Sequence, residues 1–509
     1  MKTNHSAFAI LALSASLALA AVAPPAAAQS WIQLAPAGAL PPGRSNGSSV
    51  YDPTTDTLIL FGGDNCGPNC QGNDVWILSH ADGLGGTPAW TQLFPTGGPP
   101  SARQWTLFQS IYDPATNRMV IFGGDPAGGY CGAALSDVWV LTHANGQGGQ
   151  PQWLQLNPVG GPVQIRDASA VYDPTTNRMI VFGGDGGACI QTVTNNVWVL
   201  SNANGLGGTP TWTQLAPAGG PVPAQEGQFA VYDPGSNRMA VYGGSGASGV
   251  ISGADVWILS NANGLGGTPT WTQFEASGVP PDPRSGFSGA YDSSTNSMII
   301  FGGYLAGSGA LQNDLWVLHD AIALNGTPSW LQLSPTGTLP SARLGANAVF
   351  DPSSDRMTLF GGLTIAHSVY TFLNDTWATG IAPFSTFTGK LDISSGPPPG
   401  FDFNGDFTLE AGQSINPLTQ TVSLQVGTYS VTIPSASFVL AGNGSYAFQG
   451  TINGVVLQVQ IAPRKSAGEF SFKVDALGAD LTRLTNPVTV TVSLGINSGS
   501  TSVTADFGD

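Results

Sequence analysis

Charged side chains are scarce in this chain. Of its 509 residues, 15 are Lys or Arg and 31 are Asp or Glu, so charged residues make up 9% where soluble domains usually carry about 25%. Lys and Glu, which cover the exposed faces of most soluble helices, occur only four times each. This scarcity argues against a helix-rich fold. The hydrophobic content of 41%, with 13 Trp, is nevertheless enough for a large core.

Positive charge is the scarcer of the two signs. The formal net charge is −16, and binding to a nucleic acid requires basic side chains that neutralise its phosphates. The same balance disfavours electrostatic docking on anionic lipid. We therefore expect no nucleic-acid partner and no electrostatic docking on anionic lipid.

Long apolar runs are missing except near the N-terminus. A basic Lys2, an apolar run over residues 8–22 and the small residues Ala26–Ala28 have the pattern of a secretory signal peptide. Residues 1–28 are therefore predicted to be a signal peptide, and no later run predicts membrane insertion. The chain is expected to be exported by a bacterium to the periplasm, the cell surface or the medium, and to be a monomer.

Glycine and proline are abundant, and they belong to a repeat of about 60 residues. Each unit has an aromatic-Asp pair, an aromatic-Gly-Gly about ten residues later, and then two Trp residues. The first aromatic of each unit is Tyr51, Tyr112, Tyr172, Tyr232, Tyr291 or Phe350. A unit contains four short strands, A to D, separated by turn residues, so each unit predicts one blade of a β-propeller.

These motifs resemble the kelch-repeat family. The aromatic-Gly-Gly, the Asn-Asp-Val-Trp stretch and the second Trp carry the resemblance over residues 31–377. It implies an all-β, six-bladed propeller, predicted here at residues 29–382. The segment Trp31–Leu34 looks like a strand D without a blade before it, so we expect it to complete the sixth blade and close the ring.

A charge pattern repeats with the blades. An Asp or Asn stands before each strand-C Trp, and an Arg or Gln stands before strand A of the next unit, usually 29 residues later. We interpret these residues as structural ion pairs between neighbouring blades, with one amide pair, since an unpaired charge at a blade junction would be costly. An alternative is a ring of guanidiniums that receives a ligand carboxylate. The pairs are Asp74–Arg103, Asp137–Arg166, Asn196–Gln225, Asp255–Arg284, Asp314–Arg343 and Asp375–Arg44.

The first three units differ from the others on the face formed by the B–C and D–A loops. Four cysteines lie in their B–C loops, and in an oxidising compartment the pairings Cys66–Cys70 and Cys131–Cys189 are favoured over a zinc site. Candidate binding residues on this face are Trp105, which could stack on a sugar or a peptide ring, and the acidic residues Asp64, Asp125, Asp185 and Glu226.

The motifs predict no catalytic residue, metal or cofactor. A copper-radical oxidase like galactose oxidase would need converging His, Tyr and Cys ligands, whereas His80 and His143 stand at equivalent places on adjacent blades, away from the axis. The leading hypothesis is a secreted scaffold that binds an extracellular protein or polysaccharide without catalysis. The alternative is a sugar-acting enzyme resembling the kelch-type sialic-acid mutarotases, with the arginine ring holding a carboxylate and Glu226 handling protons.

The Trp motifs stop before the C-terminal part of the chain. Residues 383–509 contain six alternating or apolar runs, with Asn443-Gly444 and Asn453-Gly454 marking turns, and Asn404-Gly405 also looks like a hairpin turn. We predict an antiparallel β-sandwich of immunoglobulin-like architecture here.

Overall fold

The computed structural model describes two compact units, one that ends at Pro383 and one formed by Phe384 onwards. The predicted signal peptide and the four cysteines, Cys66, Cys70, Cys131 and Cys189, lie outside the described residues. The described residues are 30–508 except 66–70, 85, 127–132, 162–163, 188–191, 221, 247–248, 251–254, 306, 325, 334, 336–337, 367–368, 381, 410–414, 419–421, 428, 435–436, 467, 480, 482–483, 485 and 495–496.

The first unit is the predicted six-bladed propeller. Each blade is an antiparallel sheet of strands A, B, C and D in spatial order. Strands A of neighbouring blades contact one another around the axis. Blades 1 to 3 are Ser48–Asp52, Thr57–Asp64, Gln71–Ser79 and Ala89–Leu93; Ser110–Asp113, Arg118–Phe122, Val138–Thr142 and Gln152–Leu156; and Ser169–Asp173, Arg178–Phe182, Val197–Ser201 and Thr211–Leu215.

Blades 4 to 6 repeat the arrangement. Short extra strands occur in the loops at Arg103–Gln104, Asp125–Pro126, Ala218–Gly219, Ser245–Gly246, Gly249–Val250, Arg284–Ser285, Leu363–Ala366 and Val369–Phe372. The main strands are Phe229–Asp233, Arg238–Tyr242, Asp255–Ser260 and Thr270–Glu275; Ser288–Asp292, Ser297–Leu305, Leu311–His319 and Ser329–Leu333; and Asn347–Asp351, Arg356–Phe360 and Thr376–Gly380, followed spatially by Ser30–Leu34.

The N-terminal strand closes the ring, as predicted. Ser30–Leu34 pairs antiparallel with Thr376–Gly380 over five residue pairs, with Trp31 opposite Thr379. Trp31 is buried. The first described strand therefore supplies strand D of blade 6, and the propeller has no open edge there.

Aromatic pairs join all six blades to their neighbours. The strand-D Trp of each blade packs against the aromatic of the aromatic-Gly-Gly motif in the preceding blade, with ring centroids 4.6–5.1 Å apart. Such pairs contribute about 0.5–1.5 kcal/mol beyond the area they bury. They are Trp90–Phe360, Trp153–Phe61, Trp212–Phe122, Trp271–Phe182, Trp330–Tyr242 and Trp31–Phe301.

One set of polar contacts between blades lies on the face formed by the A–B and C–D loops. A strand-B arginine in four blades donates to a backbone carbonyl in the C–D loop of the next blade. The donor–acceptor distances are 2.7–3.0 Å. Sequence analysis did not single out these arginines, which are Arg118, Arg178, Arg238 and Arg356.

Blade 1 replaces an amide pair of this face by two carboxyls. In blade 2, Asn117 donates to Asn145, which in turn donates to Asp52 of the preceding blade. Blade 1 has Asp56 and Asp82 at the two Asn positions, where the Asp82 N–H donates to Asp56 Oδ1. Burial and the neighbouring Asp82 raise the pKa of Asp56 to about 7.

We predict that Asp56→Asn stabilises the propeller above pH 7. The Asn would keep the acceptor for the Tyr51 hydroxyl and donate to the Asp82 carboxylate, a gain of about 1 kcal/mol or more. Because the folded-state pKa of Asp56 is raised, its contribution to stability is present below pH 3.8 and lost as the pH rises through about 7. Urea unfolding should show the gain at pH 8 and little at pH 5; an equal gain at both pH values would contradict the raised pKa of Asp56.

The second unit is a β-sandwich built from long antiparallel strands around one core. That core includes Leu391, Leu424, Leu457 and Phe472. The hydrogen-bonded ladder runs unbroken through ten strands, with the short last strand parallel to the first. In chain order the strands are Ala382–Ser394, Gly400–Leu409, Val422–Val426, Tyr429–Ile433, Val439–Leu440, Tyr446–Ile452, Val455–Pro463, Glu469–Leu477, Val488–Leu494, Asn497–Val503 and Asp506–Gly508.

The turn at Asn404-Gly405 was predicted wrongly. Both residues lie inside the strand Gly400–Leu409, and they pair with strands on both sides. Gly405 is under the Phe403 ring, where an added Cβ would come within 2.8 Å of a ring carbon. Glycine therefore provides room for an aromatic side chain here and does not reverse the chain.

In the part of the chain that the structure describes, no helix is long and apolar enough to cross a membrane.

Candidate ligand-binding site

Ion pairs between the predicted arginines and aspartates form, but the predicted partners are wrong: each pair joins two residues of one repeat and not of neighbouring repeats. Each of four arginines binds the Asp of its own blade through two nitrogens, and the guanidinium is buried. The prediction paired each Arg with the Asp of the preceding repeat, usually 29 residues before it, and this pairing was wrong. The observed pairs are Arg44–Asp74, Arg103–Asp137, Arg284–Asp314 and Arg343–Asp375, at 2.5–2.8 Å.

The backbone explains this register. The Arg343 amide and carbonyl bind Gln312 and Gly303 of blade 5, whereas its side chain turns forward to Asp375 and to the Gly361 carbonyl of blade 6. The arginine is at a blade junction, as predicted, but only its main chain faces the earlier blade. Burial raises the pKa of Asp375, and the Arg343 guanidinium outweighs that effect and lowers the pKa below its ordinary value.

Arg166 is not equivalent to the other arginines. Ile165 makes the junction hydrogen bonds in blade 3, to Leu135 and Gly124, so Ile165 and Asn196 replace the Arg–Asp pair there. The predicted Asn196–Gln225 and Asp255–Arg284 pairs are thus not formed: Arg284 binds Asp314, and Asn196 accepts from Gln214. The sequence did indicate that Arg166 is not equivalent: Arg166 precedes Tyr172 by six residues, whereas Arg44 precedes Tyr51 by seven.

Six equivalent D–A loop residues form a ring around the propeller axis. All have left-handed φ angles of 51–64°. The amide of Asn46 donates to Gly345, that of Gly345 to Gly286, that of Gly227 to Asp167 and that of Asp167 to Trp105, at 2.7–3.0 Å. Left-handed geometry favours Gly and tolerates Asn or Asp, so Trp105 at φ 59° is the exception. We call Asn46, Trp105, Asp167, Gly227, Gly286 and Gly345 the axial ring.

Blade 2 carries a longer D–A loop that closes the channel below the axial ring. Arg103 precedes Tyr112 by nine residues, two more than in blade 1. The added length sends Phe108 across the axis, where its ring lies 4.8 Å from Phe229 of blade 4 and 6.1 Å from Phe287 of blade 5. Phe108 therefore closes one end of the channel. The cavity that remains opens on the face formed by the B–C and D–A loops.

The cavity has a volume of about 710 Å³, within the usual range of ligand sites. Of the predicted binding residues, it brings together Trp105 and Glu226. Asp167, Tyr304 and Tyr370 also line the cavity and were not predicted. Its lining comprises Asn46, Trp105, Leu107, Phe108, Asp167, Ala168, Glu226, Gly227, Ser245, Ser285, Gly286, Tyr304, Leu344, Ile365 and Tyr370.

Asp125 and Asp185 lie behind the cavity wall and hold Arg166. The guanidinium binds Asp125 at 3.0 Å and Asp185 at 2.7 Å, and all three side chains are buried. Arg166 also lies 5.9 Å from the Trp105 ring centroid, so it stacks near the indole. The predicted Asp64 has a different place: its backbone pairs with Ser45 in blade 1, and it is not among the lining residues.

The carboxyl of Asp167 has a raised pKa. Asp167 is partly buried and lines the cavity. This burial and the nearby Glu226 raise its pKa well above the ordinary value, against the opposing effect of Arg166. A carboxyl with a raised pKa stays protonated to a higher pH than an ordinary aspartate, and a nearby cation would lower that pKa.

The described histidines do not assemble a metal site. His80 and His143 follow strand C of blades 1 and 2, and His319 ends strand C of blade 5. No group of three or more His, Cys, Asp or Glu side chains suited to a metal occurs among the residues that the structure describes.

Comparison with known proteins agrees with this architecture. The family model described as the KLHDC2/KLHL20/DRC7 Kelch-repeats domain matches residues 25–204 and 266–401. The chain belongs to the kelch-repeat family. It is also 30% identical over 250 residues to Adagio-like protein 3 of Oryza sativa subsp. japonica, covering 48% of this chain and 36% of that protein.

A second relative is larger. The chain is 31% identical over 160 residues to the dynein alpha chain of the flagellar outer arm of Chlamydomonas reinhardtii, covering 30% of this chain and 3% of that protein. The chain thus spans about a third or less of the length of these relatives. Kelch propellers commonly serve as protein-interaction scaffolds, which is the coarse function class of this fold.

Proposed function

We propose that the propeller is a recognition module that binds a peptide segment of another protein in the axial cavity and catalyses no reaction. The cavity at the B–C/D–A face carries the proposal. It is closed below by Phe108, and its wall includes Trp105. A bulky residue in left-handed geometry costs about 1–3 kcal/mol. A Trp retained there, where three equivalent residues are Gly, supports a role in binding.

The enzyme alternative requires guanidiniums that are free to hold a ligand carboxylate. Arg44, Arg103, Arg284 and Arg343 each bind an aspartate and a backbone carbonyl. Arg166 binds two aspartates. Glu226 does line the cavity, but none of the described lining residues is basic and could hold the carboxylate of an acidic sugar. The geometry therefore favours recognition.

A library of random twelve-residue peptides and a glycan array, each applied to the full chain, would test this function. We expect enriched peptides whose binding falls at least tenfold in Trp105→Gly, a change that the glycine positions of the axial ring make compatible with the fold. The matched control is Phe94→Ser, which removes an aromatic side chain that is 74% exposed outside the cavity. Glycan binding alone, or peptide binding that Trp105→Gly leaves intact, would contradict the proposal.

We also propose that the chain is exported and that its four cysteines form the two predicted disulfides. The support is the composition of residues 1–28 and the pairing of Ser30–Leu34 so soon after the expected cleavage site. Expression with the native N-terminus in a bacterium should give a periplasmic or secreted protein that begins at Gln29. A cytoplasmic product that begins at Met1 would contradict export.

A further inference from the structure

We propose that the axial cavity selects a positively charged group, the ammonium or guanidinium of a Lys or Arg side chain in the bound peptide. This inference rests on the proposed function and adds the chemistry of the ligand. It starts from the charges and the rings that surround the cavity.

The charge balance around the cavity is negative. Among the charged residues described at the cavity and directly behind its wall, Arg166 is the basic one. The buried Asp125 and Asp185 already oppose it with two carboxylates. Asp167 and Glu226 then add two carboxyls on the cavity surface itself. None of the described lining residues is basic. A cationic ligand group would offset this excess, whereas an anionic group would meet like charges in a partly desolvated site.

The uncharged part of the lining also suits a cation. Trp105, Tyr304 and Tyr370 line the cavity with Asp167 and Glu226. Aromatic faces attract ammonium and guanidinium groups through the ring quadrupole, and this attraction grows when water is excluded. Carboxyls beside several aromatic rings in one cavity therefore form a site for a basic side chain, whose apolar stem packs on the rings.

The protonation of Asp167 predicts how binding depends on pH. Burial and the negative groups Glu226, Asp125 and Asp185 favour its neutral form, and Arg166 favours the charged form. A bound cation adds a second positive neighbour and favours the carboxylate. Binding should therefore release a proton, and the affinity should rise with pH until Asp167 is ionised in the free protein.

The test uses peptides enriched by the full chain and synthetic partners in which each Lys is replaced by norleucine and each Arg by citrulline. Citrulline keeps the length of the arginine side chain, and norleucine keeps the four-carbon stem of lysine without its ammonium group. We expect isothermal titration calorimetry to show at least a tenfold loss of affinity on neutralisation of one particular basic residue, and an affinity of the parent peptide that falls with added salt.

Variants of the chain give the complementary arm. Asp167→Asn and Glu226→Gln should each weaken the basic peptide at least tenfold and leave its neutral partner unchanged. Asn is compatible with the fold at residue 167, because Asn46 occupies the equivalent place in the axial ring. The matched control is Glu275→Gln, which removes a carboxylate from an exposed position on strand D of blade 4.

The outcomes separate this inference from the proposed function. Enriched peptides that bind equally well after neutralisation, or that are acidic, would overturn the cationic preference and leave peptide recognition intact. Failure to enrich any peptide would overturn both. Equal losses in Glu275→Gln and Glu226→Gln would show a general effect of net charge and would also overturn the inference.

Discussion

Replacing Trp31 by alanine is expected to lower the free energy of unfolding of the propeller by about 3–5 kcal/mol. Trp31 is 4% exposed and packs edge-to-face on Phe301 of blade 5 at 4.9 Å. Its strand pairs with strand C of blade 6, Thr376–Gly380. The substitution therefore weakens both the blade and the junction that closes the ring.

The measurement is urea unfolding followed by intrinsic Trp fluorescence. All 13 Trp residues lie between residues 31 and 377, so the signal reports the propeller alone. A chain without residues 29–36 should lose the sharp transition, and an added peptide of that sequence should restore it. The same peptide should have no effect on the intact chain. An unchanged transition in the truncated chain would contradict closure by this strand.

Replacing Asp375 by Asn is expected to cost about 3–5 kcal/mol, because it leaves the buried Arg343 guanidinium without its counter-ion. Since the pKa of Asp375 is lowered in the folded state, its stabilisation is present above the ordinary value of 3.8 and is lost as the pH falls through the folded value. The variant should therefore lose part of the acid dependence of unfolding.

Blade 3 supplies the control for this prediction. There Ile165 and Asn196 occupy the places of the Arg and the Asp, and Ile165 is 1% exposed. The double variant Arg343→Ile with Asp375→Asn copies this combination, and it should recover most of the stability because no buried charge remains. A double variant as unstable as Asp375→Asn would show that the ion pair is worth more than the desolvation of its charges.

The strand order of the propeller was predictable because the same order of motifs occurs in all six repeats. The aromatic-Gly-Gly and Trp positions recur at nearly constant spacing, and the unpaired Trp31 segment has one place to go in a closed ring. The ion-pair partners were mispredicted because spacing alone does not say whether an arginine side chain points to the earlier or the later blade.

The candidate site was only partly predictable. Trp105 and Glu226 broke the repeat pattern and were picked out, and both line the cavity. Asp167 was not predicted because Arg166 was aligned with the other arginines, although Ile165 is the residue that occupies their place in blade 3 and Arg166 lies one position after it. Backbone hydrogen bonds link residues of the axial ring that are far apart in the chain, and such bonds leave no trace in residue type beyond the Gly, Asn and Asp that tolerate left-handed φ.

The most direct measurement is a crystal structure of the full chain with an enriched peptide bound. Peptide density should fill the axial cavity above Phe108, with a basic side chain between Trp105 and the carboxyls of Asp167 and Glu226. Density on the outer strands, on the opposite face, or on residues 384–509 with the cavity empty would contradict the assignment of this cavity as the binding site.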